Sequence, residues 1–254
     1  MKHTLGLAIF LLTSASLTYA DVTKTEEFDF DLEEGGRISL SNVNGDVSIE
    51  GVSGSRVLIK AEKKAGTQEY LDGIEIAISA SPDSIRIETR HPKNKSRWLS
   101  WGSDSSGSVT YTLSVPESAA LDSIDTVNGG IRISGVSGPV TAESVNGKLK
   151  LDGLKSDVKL DTVNGRITAN FDEFGSAQRF SADAVNGSVT LVLPADANAE
   201  VHAETLNGGI DADDFGLEPD KGFVGRDLSG TIGAGEGRVD IDTVNGSITI
   251  EKSK

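Results

Sequence analysis

The chain has 254 residues, no Cys, Met only at position 1, and 39 acidic against 24 basic side chains, for a net charge of −15. Without thiols, disulfide scaffolds, Cys-bearing zinc sites, iron–sulfur clusters and Cys nucleophiles are excluded. The acidic balance argues against nucleic acid as a partner, because affinity for a phosphate backbone depends on Lys and Arg displacing counterions. The 29 Gly and the low aromatic content of 5% suit a turn-rich all-β chain.

Residues 1–20, MKHTLGLAIFLLTSASLTYA, carry Lys2, an apolar run from Leu5 to Leu12 and small residues before Asp21. This is the pattern of a secretory signal peptide, and the run is well short of the ~20 residues a bilayer needs. No later stretch is long and apolar enough to span, and no Cys follows the cleavage site to take a lipid. The expectation is an exported chain, in the periplasm, at the surface or in the medium.

Residues 21–120 form a less regular β portion. It opens with a repeat-like segment, Ile38, Leu40, Val43-Asn44-Gly45, Val47 and Ile49, and continues with β-patterned runs at 57–61, 74–78, 85–89 and 109–115. Between them, residues 91–108 are polar and Ser/Gly-rich, hence a loop. That loop gathers both tryptophans and three cations: Lys93, Lys95, Arg97, Trp98 and Trp101. Arg97, Trp98 and Trp101 are candidate binding residues, because Trp beside Arg can stack on a sugar face or anchor in a partner's pocket. The competing reading folds the tryptophans back over the end of the β structure.

From residue 121 a repeat takes over. Val-Asn-Gly recurs at Asn128, Asn146, Asn164, Asn186 and Asn245, with Leu-Asn-Gly at Asn207 and an earlier copy at Asn44. The spacings from Asn128 are 18, 18, 22, 21 and 38, and the last gap holds a worn copy at Leu228-Ser229-Gly230. The third and fifth residues after each Asn are apolar, so is the fourth before it, and six before it Val140, Val158, Phe180, Val201 and Val239 continue the face, so each unit reads as strand, corner, strand. Asn-Gly is also the strongest hairpin signal, which keeps an antiparallel meander open. The invariably apolar residue before Asn favours the other architecture. It predicts a single-stranded β-solenoid of roughly 18–22-residue coils, with that Val turned inward onto its equivalents one coil away.

The order of parts resembles the bacterial putative-adhesin family, a domain of unknown function (number 4097) found in exported β-solenoid proteins. The matching pieces are the segment from Leu40 to Val47, the strand 84–89, Tyr111 to Pro116 leading into the repeats, and Gly230 to Gly235 before the final coil. The resemblance implies the fold and export; its adhesin label rests on architecture alone.

The most regular polar feature lies three residues before each Asn: Asp125, Glu143, Asp161, Asp183, Glu204 and Asp242, with Ser41 in the first copy. Stacked coils turn these into a ladder. It is either a Ca²⁺ site, since that ion takes carboxylate oxygens in flexible geometry, or a solvated acidic stripe that discourages edge pairing. No other cofactor is implied. The Asn column reads as structural, because Asn and Gly tolerate left-handed backbone at a corner and stacked Asn side chains bond along the axis. Asp211 to Asp220 starts like an EF-hand but lacks the acid at the twelfth place, Gly222. His91 and His202 lie beside no nucleophile motif.

The sequence therefore describes a non-enzymatic envelope or surface protein that binds a glycan, cell-wall or protein partner. Two alternatives stay open: a purely structural envelope component, or a carbohydrate-active β-helix lyase or esterase working with the acid ladder beside Lys150 or Arg166.

Overall fold

A computed structural model describes residues 21–92, 107–175, 177–221 and 225–253. The leader at 1–20 and the candidate binding residues Arg97, Trp98 and Trp101 lie outside them.

The described chain is all-β apart from one short α-helix and one 3₁₀ turn. The first part holds β1 (Val22–Asp31), β2 (Arg37–Ser41), β3 (Val47–Val52), β4 (Arg56–Ala65), α1 (Gln68–Gly73), β5 (Glu75–Ser81), β6 (Ser84–Arg90) and β7 (Gly107–Pro116). Strands then come in pairs about each Asn-Gly: β8 and β9 (Ala120–Asn128, Ile131–Ser134), β10 and β11 (Val140–Asn146, Leu149–Leu154), β12 and β13 (Val158–Asn164, Ile167–Phe171). Next are β14 and β15 (Arg179–Asn186, Val189–Leu193) and β16 and β17 (Ala199–Asn207, Ile210–Asp211). The 3₁₀ turn Asp213–Phe215, β18 (Asp220–Lys221) and β19 (Arg226–Ile232) precede the last pair, β20 and β21 (Gly237–Asn245, Ile248–Lys252).

Two mixed sheets result. The first runs β1-β4-β7-β3-β9-β11-β13-β15-β21-β17, and the second runs β18-β19-β16-β20-β14-β12-β10-β8-β2-β6-β5. The two strands flanking every Asn-Gly fall in different sheets, so this dipeptide is a corner between layers and not a hairpin turn. Equivalent strands of neighbouring turns pair parallel and in register, as in Leu149↔Ile167 and Leu160↔Ala182. Pairing becomes antiparallel at the ends, where β1, β4 and β7 close the first sheet, β5 and β6 one edge of the second, and β18 and β19 its other edge.

The core lies between the sheets. Columns such as Ile131, Leu149, Ile167, Val189 and Ile248 face Ile124, Leu160 and Ile241 across it, all at most 1% exposed. Each fully buried Ile, Leu or Val there contributes about 1.5–3 kcal/mol. At the N-terminal end α1 begins at Thr67, whose hydroxyl accepts the Tyr70 N–H at 3.2 Å. There the buried Lys63 ammonium donates to the Ile74 carbonyl at 2.8 Å and pairs with Glu26 at 2.7 Å. Tyr111 is also enclosed; its hydroxyl sits 2.7 Å from Thr89 Oγ1, and burial pushes its pKa up to about 12.

The order of turns departs from the order of the sequence. β20 and β21 lie between β14–β15 and β16–β17, pairing parallel on both sides. The final Asn-Gly turn is thus the penultimate rung, and Asn207 belongs to the last one. Leu228-Ser229-Gly230 is not a worn turn. It belongs to β19, which runs antiparallel along β16 and covers the edge that the last rung would otherwise leave open.

Candidate binding face

Alternation governs the strand before each corner, broken in β8 where a register shift turns Asp122 to water. Relative to the Asn, the side chains four and two places earlier point inward, as do those six places earlier in the other turns, and those three and one place earlier point outward. The residue two places before is Asn42, Thr126, Ser144, Thr162, Ala184, Thr205 or Thr243, and every one is buried. The hydroxyls are not left unsatisfied: Ser144 donates to the Gly129 carbonyl at 2.9 Å, Thr205 to Gly246 at 2.8 Å and Thr243 to Gly187 at 3.0 Å.

The residue before Asn therefore faces outward, against the sequence expectation. Val43, Val127, Val163, Val185, Val244 and Leu206 are 38–49% exposed, and Val145 is half-buried. They do stack rung upon rung, but on the outside of the second sheet.

The corner carries two further ladders. Each Asn amide donates to the Asn carbonyl oxygen of the neighbouring turn at 2.8–2.9 Å, running Asn207, Asn245, Asn186, Asn164, Asn146, Asn128, Asn44. This chain of bonds follows the spatial order of the turns. The Gly beside each Asn is required for a reason other than left-handed backbone: of the seven corner glycines only Gly45 has a positive φ, +119°, and no Asn does. A Cβ at Gly147, Gly165, Gly187 or Gly246 would strike the carbonyl of the corner glycine one turn away. Close backbone stacking, not φ, excludes a side chain there.

Beside the aliphatic column, at the same outward parity, runs the acidic one. The register places Asp125 by Glu143, Glu143 by Asp161, Asp161 by Asp183, Asp183 by Asp242, and Asp242 by Glu204. A groove of about 680 Å³ follows both columns from Glu143 to Asp227 and Arg226, lined by Asp161, Val163, Asp183, Val185, Asp242 and Val244 among others. Loss of water raises the carboxyl pKa of Asp183, and the hydrogen bond and charge of Asp161, with the charge of Asp242, push it the same way. Loss of water also raises that of Asp242, helped by Asp240.

Six of the seven rungs supply one carboxylate each to this column, and among the described residues no three acidic or His side chains are grouped to hold a metal ion. Nor does the acid column meet the bases named from sequence: Lys150 (β11) and Arg166 (before β13) belong to the other sheet, whose outward face is opposite. The acidic segment from Asp211 does local work, with Asp211 accepting the Asp213 N–H at 3.2 Å and Asp214 the Lys252 N–H at 2.9 Å. One juxtaposition was invisible in the sequence: antiparallel β19 brings Ser229 Oγ to 3.2 Å from His202 Nδ1, while Glu200 lies 3.5 Å from Nε2. These groups sit in water on the open face, at 40% and 54% exposure for the His and Glu side chains.

The sequence profile of the Toastrack family, DUF4097, matches residues 29–251. Among solved structures, a "putative cell adhesion protein" from Clostridium sporogenes shares 15% identity, covering 91% of this chain and 100% of its own, at a TM-score of 0.44. A "putative adhesin" from Bacteroides fragilis shares 12%, covering 91% and 97%, at a TM-score of 0.43. No curated protein matches the chain. Among the described residues no helix is long and apolar enough to cross a membrane.

Proposed function

The chain belongs to the Toastrack family, and from that premise we propose that it is an exported, non-enzymatic binding module of the cell envelope or surface. The winding is read as a β-solenoid whose outer second-sheet face, with its aliphatic and acidic columns, meets the partner. The leader at 1–20 supplies export, and residues 21–120 serve as the irregular cap on the repeats that begin near 121.

The observation that carries the reading is the exposed aliphatic column. Six of the seven turns hold Val or Leu in water, and Val163, Val185, Leu206 and Val244 line the groove, where alternation keeps them out of the core. Isolated exposed aliphatics need no explanation, whereas a contiguous column lining a groove marks an interaction surface. A second copy of the chain fits poorly, since facing the two grooves would set carboxylates against carboxylates or bury them against valines. The partner therefore presents apolar and cationic groups together.

Sedimentation of the mature chain with envelopes from source cells tests this. Retention should saturate, and Val163→Asp/Val185→Asp/Val244→Asp should abolish it while the melting temperature stays near that of the wild type. Retention unchanged in that variant would overturn the reading. Turnover of a uronate polymer, lost in Asp183→Asn, would favour the enzyme instead.

A further inference from the structure

The outward face of the first sheet carries a different feature. Arg132, Lys148, Lys150 and Arg166 are all exposed and line one groove of about 460 Å³ with Asp46 and Thr168. Arg132 and Lys150 are direct register partners on β9 and β11, and Lys148 and Arg166 immediately precede the partners Leu149 and Ile167. The four cations thus form a staggered grid over three turns: Lys148 and Lys150 stand about 6.7 Å apart along the middle one, with Arg132 about 4.8 Å from Lys150 on one side and Arg166 about 4.8 Å from Lys148 on the other.

Nothing in the fold asks for this arrangement. Like charges placed opposite each other across strands are destabilising, and the chain has 39 acids from which to neutralise them. On β4 at one end of the same sheet the exposed cations are matched: Arg56 with Asp29, Lys60 with Glu62 at 2.8 Å, and Lys64 with Asp21 at 2.7 Å. In the grid Lys150 pairs with Asp152 at 3.1 Å, and among the described residues Arg132, Lys148 and Arg166 have no carboxylate within 4 Å. Asp46, the acid in the groove, is engaged by the Gly130 N–H at 2.7 Å.

We infer that this grid is a binding site for an anionic polymer, a chain bearing carboxylate or phosphate groups at intervals close to one sugar unit. The zigzag Arg132, Lys150, Lys148, Arg166 accepts successive charges of an extended polyanion, and its two terminal arginines add forked donors that suit carboxylate and phosphate alike. The surrounding negative field excludes polyanions from the rest of the surface, which confines them to the grid. The site is independent of the aliphatic and acidic groove on the opposite sheet, so either can fail alone.

The test measures binding of fluorescent decagalacturonate and of inorganic polyphosphate by anisotropy, at 0.05 and 0.3 M NaCl, with neutral dextran as control. Wild-type protein should bind at least one anion, more weakly at the higher salt, and should ignore dextran. A variant with Arg132, Lys148, Lys150 and Arg166 all changed to Gln should lose about tenfold or more, as expected for four exposed ion pairs. A second variant, with Arg56, Lys60, Lys64 and Arg90 changed to Gln, has the same net charge and should bind within about threefold of wild type. Tighter binding of decagalacturonate points to a uronate polymer, and tighter binding of polyphosphate to a phosphodiester polymer. Equal loss in the two variants, or no binding of either anion at low salt, overturns the site. Both variants replace exposed side chains only, and their melting curves verify that they fold.

Discussion

The two outward faces of the same turns differ in how they use the repeat. On the second sheet the aliphatic column persists through all seven turns and the acidic column through six, across every change in loop length and even the displaced order of the last rungs. On the first sheet the cations gather on three neighbouring turns and give way to Ser188, Thr190, Ser247 and Thr249 further along. The first pattern belongs to the unit that builds the fold, while the second is a local departure superimposed on it. Features of the former kind make long surfaces, and features of the latter kind mark a place.

Both faces hang from the Asn-Gly seam, and changes there should have the largest effect. Gly165→Ala places a methyl group against the Gly147 backbone, and we expect a loss of about 3 kcal/mol in denaturant unfolding, at the upper end for overpacking. A neutral result would mean that the corners stack less closely than the geometry requires. Asn164→Ala removes the bond donated to Asn146 and the one accepted from Asn186; being exposed, it should cost about 1 kcal/mol by the same measurement.

The acidic column gives a smaller effect of opposite sign. The carboxyl pKa of Asp183 is higher in the folded chain than the ordinary 3.8, chiefly through loss of water and then through Asp161 and Asp242. Ionisation therefore costs stability above the raised value, and that cost fades as the pH falls toward 3.8. Asp183→Asn should melt higher than wild type at pH 7, and the gap should close toward pH 4. Glu26 behaves in reverse: burial works to raise its pKa, but hydrogen bonds from Lys63 and Lys24 hold it below the ordinary 4.5. Its contribution is present above that value and is lost on acidification. The smallest stability effect is expected on the aliphatic column, where Val185→Ser should stay within about 0.5 kcal/mol. A larger loss would mean that the column packs as core and that the contrast between the faces has been misdrawn.

Much of this was legible in the sequence. Alternation about each Asn located the inward residues, and the tripeptide located every corner of the parallel turns. The valine before Asn is the exception: its apolar character points inward, whereas its parity, which decides, points to water. The deciding signal was present in Thr126, Ser144 and Thr162, whose parity puts them inside and whose hydroxyls reach a glycine carbonyl that composition does not reveal. The role of the corner glycines was hidden for a related reason: it depends on the backbone one turn away. The displaced final rung was not legible at all. Side-chain patterning tells a strand which face to bury but not which neighbour to choose, and β14, β16 and β20 present nearly the same edge. The cation grid is likewise scattered over residues 132–166 and becomes one site only when neighbouring turns are laid in register.

Both faces rest on the register and order of the turns, which disulfide trapping measures directly in a chain with no native Cys. Val185 and Val244 stand on adjacent rungs, about 4.8 Å apart and within reach of a disulfide, whereas Val185 and Leu206 are two rungs apart at roughly twice that distance. Val185→Cys/Val244→Cys should crosslink rapidly under mild oxidation, and Val185→Cys/Leu206→Cys should stay reduced. The opposite pattern would contradict the account.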